Sequence, residues 1–82
     1  MEYAVRIKEV NYNSGYTSYT SIIGKTKEEM FDGIYSYFKS YQYCNNAERT
    51  IEDENIAKEY HEWEHKNWES LWWKHASGRD FD

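Results

Sequence analysis

Residues 51–76 read IEDENIAKEYHEWEHKNWESLWWKHA, and this stretch gives the clearest indication of the fold. It contains all four Trp, all three His and seven of the 15 acidic residues. Thr50 and Asp53 form a weak capping-box pattern, and acidic residues near a helix N-terminus are favoured by the helix dipole. Gly78 is a typical helix stop. The sequence therefore predicts one long helix over residues 51–76, which would measure about 39 Å at about 1.5 Å per residue.

The long helix is expected to have three faces, since successive residues lie about 100° apart around its axis. The expected core face carries Ile56, Tyr60, Trp63, Asn67 and Leu71. A second, acidic face carries Glu52, Glu59, Glu62, Lys66, Glu69 and Trp73. A third face borders the core and carries His61, His65, Trp68, Trp72 and His75. The acidic face is either a solvated surface or a recognition surface for basic side chains.

Two strands and a shorter helix are predicted before this stretch. Residues 2–12 alternate in polarity, Asn13-Ser14-Gly15 indicates a turn, and YTSYTSII at residues 16–23 is typical of a returning strand. The alternation shifts phase at Val10, which predicts a bulge or a twisted strand end. Thr26, with Glu29 three residues later, has the capping-box arrangement and predicts a helix over residues 26–43.

These elements predict an α+β fold with the order ββαα. We expect one small domain over residues 1–82, in which a two-stranded antiparallel hairpin at residues 2–24 packs on a helical pair. The hairpin and the shorter helix are too small to cover a 26-residue helix. We therefore expect the long helix either to break near Asn67 or to project from the body. Because a lone hairpin is marginally stable, a homodimer is a further expectation.

The charge and the cysteine content narrow the class of protein. The net charge is -5, and residues 48–69 hold the whole acidic excess. This acidity disfavours direct binding to nucleic acid, whose phosphates require Lys and Arg, and fits a protein partner with a basic surface. The single cysteine, Cys44, excludes an intramolecular disulfide. Neither a signal peptide nor a membrane span is expected, so the expected location is the cytoplasm.

His61, Glu62, Trp63, Glu64 and His65 form the pattern H-E-x-x-H. Two His four residues apart on a helix can bind one Zn²⁺, and the Glu between them can activate a bound water. A catalytic zinc also needs a third protein ligand. The zincin families take it from a downstream Glu or from H-E-x-x-H-x-x-G-x-x-H. Here Trp68 and Leu71 stand at the last two of those positions, so catalytic zinc is disfavoured.

Two further options stay open at this stage. His61 and His65 could bind a transition metal without catalysis. Tyr12, Tyr16 and Tyr19 around the hairpin could stack on single-stranded bases, although only Arg6, Lys8 and Lys25 are basic nearby. No catalytic residue and no cofactor is predicted.

The expected partner-binding residues are acidic and aromatic. They are Glu52, Glu59, Glu62, Glu64, Glu69, Trp68, Trp72 and Trp73. With Trp63 added, this acidic and tryptophan-rich character resembles the small bacteriophage proteins that inhibit host defence, including anti-CRISPR proteins. The resemblance covers size, acidity, aromatic content and single-domain economy, and no shared motif.

The resemblance implies a non-enzymatic inhibitor that acts in the cytoplasm of a bacterial host cell. Its partner would be a CRISPR-Cas or other defence nuclease complex, blocked at a nucleic-acid-binding surface by acidic side chains that stand in for phosphates. Two alternatives belong to other classes of protein. One is a small oligomerising structural or regulatory protein, and the more remote one is a zinc hydrolase.

Overall fold

The computed structural model describes residues 2–80, with side chains described for residues 2–75. Strands β1 (Tyr3–Asn11) and β2 (Thr17–Gly24) form the predicted hairpin, and helix α1 (Lys27–Ser40) follows. A third strand, β3 (Ala47–Ile51), precedes the long helix α2 (Glu54–Asp80). The fold is therefore α+β, as predicted. Its order is ββαβα, so the predicted ββαα order omitted one strand.

The sheet is antiparallel, with β1 between β2 and β3. The register of β1 and β2 runs without interruption from Tyr3 opposite Gly24 to Val10 opposite Thr17. The predicted bulge near Val10 is therefore wrong for these strands. Val10 lies with the even-numbered residues of β1, which face away from Val5 and Ile7 in the core.

The sequence predicted no strand at residues 47–51 and began the long helix at residue 51, which is the last residue of β3. Ile51 pairs with Ile7 of β1 and is buried, and the Glu52 amide donates to the Arg6 carbonyl at 3.0 Å. Asp53, and not Thr50, caps α2. Its carboxylate accepts hydrogen bonds from the amides of residues 55 and 56, each at 3.0 Å. The predicted Thr50 cap was wrong because pairing with the free edge of β1 draws residues 47–51 into the sheet.

Arg49 closes the end of the sheet next to the loop after α1. Its guanidinium lies 2.7 Å from a Glu9 carboxylate oxygen and 4.1 Å from the centre of the Tyr41 ring. It also donates to the Cys44 carbonyl at 3.2 Å. Only 8 % of the Arg49 side chain is exposed, and partners from β1 and from the loop after α1 surround its charge. These contacts join β3 to β1 and to the loop.

Helix α1 packs closely against β2. Thr26 caps it as predicted, because its hydroxyl accepts a hydrogen bond from the Glu29 amide at 3.1 Å. The helix ends at Ser40, three residues before the predicted end. Gly33 is required by the packing, since a Cβ there would lie 2.8 Å from the Ile22 side chain. The absence of a side chain at Gly33 therefore brings α1 close to the sheet.

The core lies between the sheet and the two helices. Phe31 of α1 and Tyr60 of α2 meet there edge to face, with ring centres 6.1 Å apart. The predicted core face of α2 is confirmed: Tyr60 and Leu71 are buried, and its other three residues are half-buried. The buried residues are Val5, Ile7, Met30, Phe31, Ile34, Ile51, Tyr60 and Leu71.

Helix α2 is kinked at Asn67, which is one of the two alternatives that the sequence left open. Asn67 has φ -115° and ψ 16°, outside the helical range, and its side-chain amide donates to the Trp63 carbonyl at 2.8 Å. A polar side chain that bonds the backbone one turn earlier is a common cause of helix bending. The helix then continues through Gly78 to Asp80, so the predicted stop at Gly78 was wrong. Across residues 2–80, no helix combines the length and apolar character needed to cross a bilayer.

Candidate protein-binding surface

The kink divides α2 into a first half, residues 54–66, and a second half, residues 68–80. Asp32 of α1 anchors the second half: its two carboxylate oxygens lie 3.1 Å from His75 Nε2 and 3.2 Å from Lys74 Nζ. Partial burial of Asp32 favours its neutral form. The hydrogen bonds from His75 and Lys74 outweigh this effect and hold the pKa of the carboxyl below its ordinary value. Asp32 is therefore ionised near neutral pH and attaches the second half to α1.

Two apolar contacts reinforce this attachment. The His75 ring packs on Tyr35 of α1 with ring centres 4.8 Å apart, and Leu71 is buried. The second half consequently lies against the body through residue 75, the last whose side chain is described. The expected alternative of a projecting helix end is not observed over these residues.

Three tryptophans remain on the outer surface of the second half. Trp68, Trp72 and Trp73 are 63 %, 48 % and 62 % exposed. Trp72 and Trp73 meet edge to face, with ring centres 4.9 Å apart. Trp63, one turn before the kink, instead packs 5.5 Å from the Phe31 ring. The structure thus separates one structural tryptophan from three exposed ones, which we call the tryptophan surface.

The predicted acidic face is interrupted. Glu52 precedes α2, and its carboxylate binds the Arg6 guanidinium, accepting from Nε at 2.9 Å. Glu59 accepts a hydrogen bond from Lys27 at 2.9 Å, which raises the pKa of Lys27 above its ordinary value. Glu64 accepts a hydrogen bond from the Tyr60 hydroxyl at 3.4 Å. Three of the five predicted glutamates are therefore engaged within the fold.

Glu62 and Glu69 are the remaining predicted glutamates. Both are exposed, and neither forms an ion pair with any of the side chains described, residues 2–75. Glu69 follows Trp68 in sequence and precedes Trp73 by one turn, so it borders the tryptophan surface. The negative charge left for a partner is smaller than the sequence suggested, and part of it lies beside exposed indoles.

The H-E-x-x-H pattern lies on the first half of α2, with His61 and His65 both exposed. His61 Nδ1 is 3.8 Å from a Glu64 carboxylate oxygen. His75 is committed to Asp32 and Tyr35 instead of joining the other two. Among the described side chains, no three His, Cys, Asp or Glu residues converge as metal ligands. The geometry therefore provides two His side chains of a metal site and no described third ligand.

The hairpin tyrosines are exposed, as a base-stacking surface would require. Tyr12, Tyr16 and Tyr19 are 62 %, 71 % and 49 % exposed. However, the Tyr19 ring is covered by the Arg6 guanidinium at 4.6 Å, and Arg6 is also bound to Glu52. The guanidinium that contacts the Tyr19 ring is thus already paired with a carboxylate. This arrangement offers little positive charge to a phosphate backbone.

Asp32 and Tyr35 were missed by sequence reasoning. Both lie in the middle of α1, where the apolar spacing indicated only a core-facing stripe. Their contacts with His75 join residues 40 or more positions apart, and no local pattern indicates such a pairing. The sequence does show one charged residue, Asp32, between Phe31 and Gly33 on a packed helix. This observation does not identify the residue with which Asp32 pairs.

Comparisons with protein-family models, curated proteins and solved structures found no match to this chain.

Proposed function

We propose that this chain is a non-enzymatic inhibitor that binds another protein through the tryptophan surface and the neighbouring Glu62 and Glu69. The observation that carries this proposal is the exposure of Trp68, Trp72 and Trp73 on a helix segment anchored by Asp32. Tryptophan is strongly enriched at binding hot spots. Soluble proteins rarely expose a contiguous cluster of large apolar rings, and such a cluster commonly marks an interaction site.

The anchoring of this segment supports the same proposal. A surface that is already ordered loses less conformational entropy on binding than a flexible segment. Leu71 and His75 hold the inner side of the second half, so the three indoles project from a fixed backbone. This arrangement suits a preformed docking surface.

For the partner, we propose a protein with a basic surface that binds nucleic acid, in particular a CRISPR-Cas or other defence nuclease complex of a bacterial host. The support is the net charge of -5, the resemblance to phage anti-defence inhibitors, the exposed Glu69 beside the indoles and the exposed Glu62 on the first half of α2. The inhibitor would act in the host cytoplasm by occupying the site of the nucleic acid. This mechanism assigns Glu62 and Glu69 the role of phosphate groups.

Affinity capture tests the surface. The immobilised chain is incubated with a bacterial lysate, and bound proteins are identified by mass spectrometry for the wild type and for Trp68→Ala/Trp72→Ala/Trp73→Ala. The matched control is Tyr43→Ala, which truncates a ring that is 87 % exposed in the loop after α1. We expect the wild type and the control to retain the same nucleic-acid-binding protein and the triple variant to lose it. Equal retention by the triple variant would contradict the proposed surface.

Competition tests the mechanism. A captured partner loaded beforehand with its nucleic acid should bind this chain poorly. Glu62→Lys/Glu69→Lys should weaken binding, whereas the control Glu2→Lys, which makes a single charge reversal at an exposed glutamate on the sheet side, should have a smaller effect. If neither the bound nucleic acid nor the charge reversal lowers the affinity, the mimicry mechanism is wrong. Sedimentation at several protein concentrations tests the alternative function of a self-associating protein. Under that alternative, the wild type would form oligomers and the triple tryptophan variant would not.

A further inference from the structure

A groove of about 460 Å³ lies between α1 and α2, beside the kink. Its walls are Tyr35, His61, Glu64, His65, Trp68 and Trp72. Glu64, Trp68 and Trp72 are spaced by four residues, which places them along one side of α2. Tyr35 approaches from α1. The groove thus combines one phenol, two indoles and two imidazoles, from two helices, with one carboxylate.

The carboxylate of Glu64 is held in place by the core. One oxygen accepts a hydrogen bond from the hydroxyl of Tyr60, a buried residue. The other oxygen lies 3.8 Å from His61 Nδ1, too far for a hydrogen bond, so it retains acceptor capacity. Burial of Tyr60, together with the negative charge of Glu64, raises the pKa of the phenol, so the hydroxyl stays protonated and donates. Glu64 is therefore an oriented anion at the groove.

Within residues 2–75, no lysine or arginine forms an ion pair with the Glu64 carboxylate. Lys39 borders an adjacent cavity with Glu64 but forms no ion pair with it among these side chains. The Arg49 guanidinium, on the other side, is bound to Glu9 and Tyr41. An incoming cation would therefore find the Glu64 carboxylate without a lysine or arginine bound to it.

We propose that this groove binds an arginine side chain of the partner protein, stacked on the indole and phenol faces and hydrogen-bonded to Glu64. Aromatic faces attract cations, and tryptophan does so most strongly. A guanidinium suits the site better than an ammonium because it is planar, stacks on rings and donates several hydrogen bonds to a carboxylate. The inference deepens the proposed function, on which it rests, by naming the group of the basic partner that is recognised.

The test uses a defined probe in place of the unidentified partner. N-acetyl-arginine amide is titrated into the ¹⁵N-labelled full chain, and the indole N–H signals of the four tryptophans are followed by NMR. The neutral isostere N-acetyl-citrulline amide is the matched ligand control. We expect millimolar binding of the arginine derivative that shifts Trp68 and Trp72 most, and binding of the citrulline derivative that is at least about tenfold weaker.

Two isosteric variants test the role of Glu64. Glu64→Gln keeps an acceptor for Tyr60 and removes the charge, so it should weaken binding of the arginine derivative about tenfold. Glu48→Gln removes an exposed charge on β3, outside the groove lining, and should leave the affinity within about twofold. Unchanged Trp63 signals show that each variant keeps its core. Equal binding of the citrulline derivative, or full affinity in Glu64→Gln, overturns the proposal.

The outcomes separate this inference from the proposed function. If the tryptophan surface captures a partner but the arginine derivative shows no charge-dependent binding, the function stands and the arginine site fails. If the arginine derivative binds in a Glu64-dependent way but capture does not require the tryptophans, the site stands and the proposed protein-binding surface fails.

Discussion

The two halves of α2 share one helix and similar residues but make opposite use of their aromatic rings. The first half buries Tyr60 completely and packs Trp63 against Phe31. The second half buries Leu71 and leaves three indoles in solvent. Polar contacts of Asp32 hold it together with Leu71 and the His75 ring, whereas the first half is held mainly by packing of its buried rings. The difference shows that the rings of the first half support the fold, and it supports the proposal that the exposed rings of the second half bind a partner.

The largest effect is expected from removing the main apolar contact of the first half. Tyr60→Ala should lower the free energy of unfolding by about 3–5 kcal/mol, because a large buried ring leaves a cavity. For a domain of this size such a loss approaches the whole stability. Urea denaturation followed by circular dichroism measures it. Tyr43→Ala, at an exposed ring, is the control and should change the value by less than about 0.5 kcal/mol.

A smaller effect is expected from releasing the second half. Asp32→Asn should cost about 1 kcal/mol and should increase hydrogen exchange mainly after the kink, because it removes the ionised partner of His75 and Lys74. Folding lowers the pKa of Asp32, so its stabilisation is present above about pH 4 and is lost as the pH falls through the lower folded pKa. The difference between the wild type and the variant should therefore disappear in acid. A difference that persists at low pH would show that the ion pairs do not hold this segment.

Truncating an exposed indole should affect binding far more than stability. Trp73→Ala is expected to change the free energy of unfolding by less than about 1 kcal/mol, since the ring is mostly in solvent and Ala favours the helix. Thermal unfolding and capture of the partner, measured on the same preparation, test this separation. A large loss of stability would show that Trp73 supports the fold, as Tyr60 and Trp63 of the first half do.

The smallest effect is expected at the H-E-x-x-H pattern. His61→Ala/His65→Ala should leave the free energy of unfolding within about 0.5 kcal/mol, because both rings are exposed. Elemental analysis of the untagged protein should find no stoichiometric zinc, since a structural or catalytic site needs at least three protein ligands. Zinc bound at one equivalent and lost in the double variant would reverse this expectation.

Local sequence patterns predicted much of the fold. Alternating polarity located the hairpin, Thr26 located the start of α1, and helical periodicity placed Ile56, Tyr60 and Trp63 towards the core. The length of α2 relative to the rest left two alternatives, a break near Asn67 or a projecting end, and the structure shows the break. These predictions succeeded because they depend on residues a few positions apart, whose geometry is set by the backbone period.

The contacts that modify the candidate surface could not be predicted in this way. The short strand AERTI at residues 47–51 carries two charged residues in five, and only the unpaired edge of β1 makes it a strand. The pairing of Glu52 with Arg6 and of Glu59 with Lys27 joins distant segments and removes charge from the predicted acidic face. Local spacing along a helix does not indicate which charges the rest of the fold will engage.

The sequence by itself determined the α+β class, the helical placement of four tryptophans, and an acidic excess concentrated in residues 48–69. Only the tertiary structure decided that Trp68, Trp72 and Trp73 stay in solvent, and that Glu64 lies beside a groove with Tyr60 as its hydrogen-bond donor. The physical reason is that periodicity sets the direction of a side chain around its own helix. Exposure and charge pairing depend on which distant elements pack against that side, and here Asp32, Tyr35 and the kink at Asn67 decide them.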